Sequence, residues 1–244
     1  MTALRYRLMD DRRVRLGLIV LQADETCEDE LRQVLPSDTS MLVSRIRSGT
    51  DVTPDSLADM EGRLSGAASL FPVGAKFDAL GYACTSATAQ IGADKVAANI
   101  RKGTDARQVT DPVTALVAAC GALGLSKLAL VSPYVESVSE RLRGTLLTDG
   151  IETPVFASFD VSEEARVARI DPASVSDAAR KIMGGSGVDG LFLSCTNLRT
   201  FPVIASLEAE LNVPVLSSNL ALAWHMLMLA GRLPRGTRPS ALLS

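Results

Sequence analysis

The feature that most constrains this 244-residue chain is an internal repeat. Asp78-Ala79-Leu80-Gly81-Tyr82-Ala83-Cys84-Thr85 matches Asp189-Gly190-Leu191-Phe192-Leu193-Ser194-Cys195-Thr196, with Asp, Leu, Cys and Thr in register at an offset of 195 − 84 = 111. Arg15-Leu16-Gly17-Leu18-Ile19 resembles Lys127-Leu128-Ala129-Leu130-Val131 at 127 − 15 = 112. Two separate elements at nearly one offset imply a duplicated unit, of a size that one small lobe can fill.

The hydrophobic pattern says what that unit is. Short apolar or β-branched runs predict strands over 15–21, 40–46, 78–83, 128–131, 154–156, 190–194 and 213–216. Longer amphipathic runs between them predict helices over 26–34, 54–70, 88–100, 111–123, 136–149, 173–183, 200–211 and 219–229. This alternation builds βαβ units and parallel sheets with covered faces. The expectation is an α/β protein of two similar lobes. Residues 1–111 plus 213–244 form the first and 112–212 the second, so the last strand and helix return to the first lobe.

Composition narrows the function. With 47% hydrophobic and 22% charged residues the chain is not of a disordered type. A formal net charge of −3 argues against a general nucleic-acid binder. No segment reaches the ~20 apolar residues needed to span a bilayer, so no membrane partner is expected. Residues 1–13 lack the apolar stretch of a secretory signal. Four cysteines are too few for a disulfide scaffold, and a cytoplasmic protein with reduced thiols is expected. The single histidine, His225, reads as structural and leaves little for a zinc site or a Ser-His-Asp triad. The run Gly184-Gly185-Ser186-Gly187 precedes a strand, so it reads as a helix stop rather than a phosphate loop. The Arg-rich start (Arg5, Arg7, Arg12, Arg13, Arg15) reads as a solvated flank, and residues 232–244 as a surface arm.

The repeated cysteines carry the chemistry. Each ends an apolar strand and precedes a helix, the carboxyl-end position where parallel sheets bind ligands. Thr85 and Ser86, and Thr196 and Asn197, follow them; free backbone N–H groups and the helix dipole there favour a carboxylate. The same field is expected to lower each thiol pKa, giving a thiolate that acts as base or nucleophile. Two facing lobes would set the thiols on opposite sides of one cleft. Cys120, inside an apolar helix, reads as core, and Cys27 as structural.

At this point the chain resembles a known superfamily. The motifs are Gly17-Leu18-Ile19-Val20, Asp24-Glu25-Thr26-Cys27-Glu28, Tyr82-Ala83-Cys84-Thr85-Ser86, Val131-Ser132-Pro133-Tyr134, Ala168-Arg169-Ile170-Asp171-Pro172, Leu193-Ser194-Cys195-Thr196-Asn197-Leu198-Arg199-Thr200 and Ser217-Ser218-Asn219 through Trp224. They are similar to the aspartate/glutamate racemase superfamily, in the branch of maleate cis–trans isomerases, arylmalonate decarboxylases and ectoine-utilisation EutA proteins. The Asp24–Thr26 and Ser217–His225 signatures most resemble the EutA group.

The resemblance implies two flavodoxin-like (Rossmann-like) lobes related by a pseudo-twofold, an active site in the cleft, no cofactor or metal, and a homodimer or higher homo-oligomer. It implies Cys84 and Cys195 as the catalytic pair, acting on a small carboxylate by racemase-type proton transfer or by addition to a double bond. A regulatory metabolite-binding protein on the same scaffold is the alternative. Tyr134 implies a hydrogen bond to a substrate carboxylate, while Thr85, Ser86, Thr196, Asn197 and Ser218 surround the site. Arylmalonate decarboxylases keep only the second-lobe cysteine, so Cys84 argues against that activity. Maleate isomerases carry an asparagine where this chain has Asp24, and a second ligand asparagine falls near Glu163 or Glu164. A carboxylate at Asp24 would repel a diacid and suits an ammonium or amide.

Overall fold

The computed structural model describes residues 3–9, 13–185, 187–232 and 240–243. In chain order the first half runs β1 (Val14–Leu21), α1 (Cys27–Arg32), β2 (Thr39–Ile46), α2 (Pro54–Ala58), α3 (Leu64–Ala68), β3 (Lys76–Phe77), β4 (Ala79–Ala83), α4 (Thr85–Ile91), α5 (Ala93–Gly103), β5 (Asp105–Ala106) and β6 (Val109–Thr110). The second half runs α6 (Pro112–Leu123), β7 (Lys127–Ser132), α7 (Glu136–Thr148), β8 (Glu152–Ser158), α8 (Glu164–Val167), α9 (Pro172–Met183), β9 (Gly190–Leu193), α10 (Phe201–Leu211), β10 (Val215–Ser217) and α11 (Ser218–Leu229).

Two four-stranded sheets result, ordered β2-β1-β4-β6 and β8-β7-β9-β10, and every strand pair in them is parallel. A parallel sheet covered on both faces wants near-continuous apolar strands. Accordingly β4 and β9 are buried at every residue. The duplicated aspartates explain themselves here. Asp78 accepts the backbone N–H of Arg15 at 2.9 Å, and Asp189 accepts that of Lys127 at 2.9 Å. Each ties the loop before its cysteine strand to the start of the neighbouring central strand.

The last strand departs from expectation. Residues 215–217 do not return to the first sheet: β10 pairs with β9, as Val215↔Leu191 through Ser217↔Leu193. A fourth strand is needed there because β9 would otherwise present an unpaired edge. It occupies the place that β6, too short to be visible in the hydrophobic pattern, fills in the first sheet. Helix α11 does reach the first half, packing on β4 and α1 as well as on α6. Gly81 makes room for it: a Cβ there would lie 2.6 Å from the Met226 Sδ.

Two long predicted helices are interrupted. Residues 54–70 divide into α2, a 3₁₀ turn at Glu61–Arg63, and α3. Residues 88–100 break at Gly92, whose φ of +98° is open to glycine and strained for other residues. Ala241–Leu243 form a 3₁₀ turn with Leu242 buried and the Ala241 N–H on Glu208, so this part of the surface arm is docked on α10. The rest of that arm, 233–239 and 244, lies outside the described residues, as do Arg12 and Ser186.

Candidate active site

Cys84 and Cys195 lie directly after β4 and β9, at the carboxyl ends of corresponding strands, and are 4% and 5% exposed. Cys84 is the N-cap of α4: its sulfur accepts the Ala87 N–H at 3.4 Å and sits 3.6 Å from the Ser86 hydroxyl. Cys195 has a φ of +112°, a left-handed conformation that costs a side chain about 1–3 kcal/mol. Its backbone N–H is held at 3.0 Å by the Ser218 hydroxyl.

Ser218 joins the two halves of the cleft. Besides accepting from Cys195, its hydroxyl pairs at 2.8 Å with that of Thr85, the neighbour of Cys84. Thr196 crosses the other way, donating to the Ala83 carbonyl at 3.1 Å. Thr85, Thr196 and Ser218 therefore spend their hydroxyls on each other's loops.

Asn197 is similarly committed. Its Oδ1 accepts the Glu25 N–H at 2.9 Å, and its Nδ2 donates to the Glu164 carboxylate at 2.9 Å and to the Glu164 carbonyl at 3.2 Å. Glu164 opens α8, and the segment entering this helix closes on the first half. The Val52 N–H bonds the Ser162 carbonyl at 2.8 Å, and the Glu164 N–H bonds the Thr50 carbonyl at 3.0 Å. Glu163 is the bridge residue opposite Asp51, so of the two glutamates only Glu164 is buried.

Asp24 folds over its own turn. One carboxylate oxygen, Oδ1, accepts the N–H groups of Thr26 at 3.0 Å and Cys27 at 2.8 Å. The other, Oδ2, is buried and has no hydrogen-bond partner among the described residues. Arg45 is close but directed elsewhere, donating to the carbonyls of Leu21, Gln22 and Asp24 and pairing with Glu28.

These surroundings reverse the expected thiol electrostatics. Burial pushes Cys84 up to about 12, and the carboxylates of Glu164 and Asp24 add to it. Cys195 is raised well above the usual thiol value by burial and Glu164, opposed by hydrogen bonds from the Tyr134 hydroxyl and the Asn197 N–H. The two-turn α4 is too short a dipole to offset full desolvation. Burial thus favours the neutral thiol at both positions. Asp24 is itself raised, to about 6, chiefly by burial.

Tyr134 is buried, and burial chiefly raises its hydroxyl, with the charges of Cys195 and Cys84 adding to it. Cys27, read as structural, is fully buried and within electrostatic reach of Cys195. One residue escaped sequence reasoning. Glu30, on α1, accepts the N–H groups of Thr200 at 2.7 Å and Phe201 at 2.8 Å and the Asn219 amide at 2.8 Å. Asn219 in turn donates to the Thr196 carbonyl at 2.8 Å. A carboxylate inside the amphipathic run 26–34 reads as solvent-facing until the second half is packed against it. A surface groove of about 540 Å³ beside Gln22, Arg45 and Arg63 contains neither thiol. Among the described residues no cluster of three His, Cys, Asp or Glu side chains could hold a metal, and no helix is long and apolar enough to cross a membrane.

Two parallel-sheet lobes, each delivering a cysteine from the end of an equivalent strand to one cleft, define a cysteine-dependent enzyme of the aspartate/glutamate racemase type. More narrowly, the sequence profile described as arylmalonate decarboxylase matches residues 51–243, and the chain belongs to that family. A maleate isomerase of Pseudomonas putida is 27% identical over 94% of this chain and 97% of its own length. The arylmalonate decarboxylase of Bordetella bronchiseptica is 34% identical, over 48% of this chain and 50% of its own. Among solved structures, a maleate isomerase of Pseudomonas putida S16 with maleate superposes with a TM-score of 0.87 at 25% identity, covering 96% of this chain and 98% of its own. A Nocardia farcinica maleate cis–trans isomerase with a covalently bound succinylcysteine intermediate gives 0.83 at 25%, covering 94% and 98%.

Proposed function

We propose that the protein is a cofactor-independent isomerase of the racemase or epimerase type, acting on a small carboxylate or amino-acid derivative through Cys84 and Cys195. The observation that carries the reading is the convergence of the two strand-end thiols on one cleft, tied together through Thr85 and Ser218. In this reaction one thiolate removes the Cα proton as the opposing thiol gives its proton to the other face. The product is the inverted centre, and the thiol and thiolate have exchanged places. Hydrogen bonds from the Ala87 N–H and Ser86 to Cys84, and from Tyr134 and the Asn197 N–H to Cys195, favour each sulfur as a thiolate. Thr85, Ser86, Thr196, Asn197 and Ser218 shape the backbone around the substrate carboxylate, which Tyr134 meets with its hydroxyl.

The Asp24–Thr26 and Ser217–His225 signatures, which resemble the ectoine-utilisation group, favour an amino-acid derivative of ectoine breakdown as substrate. Four free cysteines suit a reducing cytoplasm, and a homo-oligomer is expected from the resemblance. A second reading draws on the maleate isomerase relatives that span nearly the whole chain. Here the Cys84 thiolate adds to one alkene carbon of maleate and leaves a carbanion on the other. After rotation about the new single bond, elimination breaks the C–S bond and gives fumarate.

Proton NMR in D₂O separates the two. Aspartate, glutamate, the two monoacetylated 2,4-diaminobutyrates and maleate are incubated with wild type, Cys84→Ala and Cys195→Ala. Deuterium uptake at Cα, lost in either variant, is the expected result. Fumarate from maleate would favour the second reading. No change in any compound would remove thiol chemistry and leave a metabolite-binding protein.

A further inference from the structure

We propose that Asp24 and Glu164 form a subsite for a protonated amine on the substrate, set beside the thiols and apart from the donors that receive its carboxylate. This deepens the reading of the cleft as a substrate site and rests on it. Several observations carry it. Asp24 is 4% exposed, yet its Oδ2 lacks a hydrogen-bond partner among the described residues. A buried carboxylate oxygen without a donor is costly, and such groups are ordinarily satisfied by protein or by a ligand. Its turn and Glu164 are tied to one residue, Asn197, which accepts the Glu25 N–H at 2.9 Å and donates to the Ala23 carbonyl at 3.4 Å and to the Glu164 carboxylate at 2.9 Å.

Glu164 supplies the second carboxylate. The Asn197 amide orients it by donating to Oε2 at 2.9 Å, and its charge acts on both Cys84 and Cys195. Arg45, whose charge acts on Asp24, has its guanidinium spread over three main-chain carbonyls and Glu28. Finally, the field has a sign. Two carboxylates and two potential thiolates repel a dianion such as maleate, whereas an ammonium placed between Asp24 and Glu164 neutralises the charges that oppose thiolate formation. A substrate carrying both carboxylate and ammonium would thus help ionise the thiol that attacks it.

The test compares matched probes that differ only by the amine. Affinities of wild type and Asp24→Asn are measured by isothermal titration for aspartate against succinate, and for Nγ-acetyl-2,4-diaminobutyrate against 4-acetamidobutyrate. The Asp24→Asn side chain keeps an acceptor oxygen for the Thr26 and Cys27 N–H groups, and Glu164→Gln serves as a second variant should the first fail to fold. A charge-assisted contact corresponds to about 10- to 100-fold tighter binding of the aminated probe, lost in the variants. Equal binding of each pair by wild type, an unchanged ratio in the variants, or no binding of any probe would overturn the subsite. Deuterium exchange in the same samples judges the thiol reaction independently. Asp24-dependent binding without exchange keeps the subsite and removes the isomerase, whereas exchange indifferent to Asp24 does the reverse.

Discussion

At the residue scale, Asp24 holds an unfavourable position that stability measurements can read. Its folded-state pKa is raised from 3.8 to about 6, so between those values the native state binds more protons than the unfolded chain. Stability therefore falls as pH rises through that window, and the penalty is complete above about pH 6. Asp24→Asn removes the charge and is expected to stabilise the protein at pH 8 by on the order of 2–3 kcal/mol, with little gain at pH 4. Thermal unfolding of both proteins across this range checks it; equal gains at both ends would mean that the penalty is not ionisation. Cys195 stores strain of another kind, its φ of +112° maintained by the Ser218 bond. That Cys84 and Cys195 end equivalent strands was visible from their repetition. That their surroundings raise both thiols was not, because desolvation depends on packing from segments far away in sequence.

At the element scale, the central strands were legible, and the two-residue strands β3, β5 and β6 and the helix breaks were not. Central strands of a parallel sheet are apolar on both faces, so β1, β4, β7 and β9 show as uniform runs. Residues 54–70 and 88–100 keep helical periodicity through their interruptions, since a 3₁₀ turn or one glycine barely alters the pattern. The close approach of α3 and α5 has a single-residue test. A Cβ on Gly103 would lie 2.2 Å from the Ser65 carbonyl oxygen and 2.8 Å from the Ala68 Cβ. Because the backbone itself blocks the space, Gly103→Ala is expected to destabilise by about 3 kcal/mol in urea unfolding. A loss of under half that would mean the two helices separate easily.

For the whole molecule, the two halves are held by buried polar contacts that cross the cleft. Glu30, Thr26 and the Glu25 N–H come from the first half, and Thr200, Asn197 and Asn219 from residues beyond 160. Glu30→Ala removes the acceptor for two N–H groups at the start of α10 and for Asn219. A loss of about 3 kcal/mol is expected, together with weakened turnover through the Asn219–Thr196 contact. Glu30→Gln, which keeps one acceptor oxygen, should recover part of both; no recovery would mean that the charge and not the hydrogen bonding is what matters.

Local pattern carried the α/β class, the duplication and the cysteine pair, because hydrophobic period and strand-end position are properties of neighbouring residues. The pairing of β10 with β9, the burial of Glu30 and Glu164 and the orphaned oxygen of Asp24 arise between segments more than a hundred residues apart or from competition for a sheet edge. Such contacts have no local signature, and only the folded arrangement of the two halves decided them.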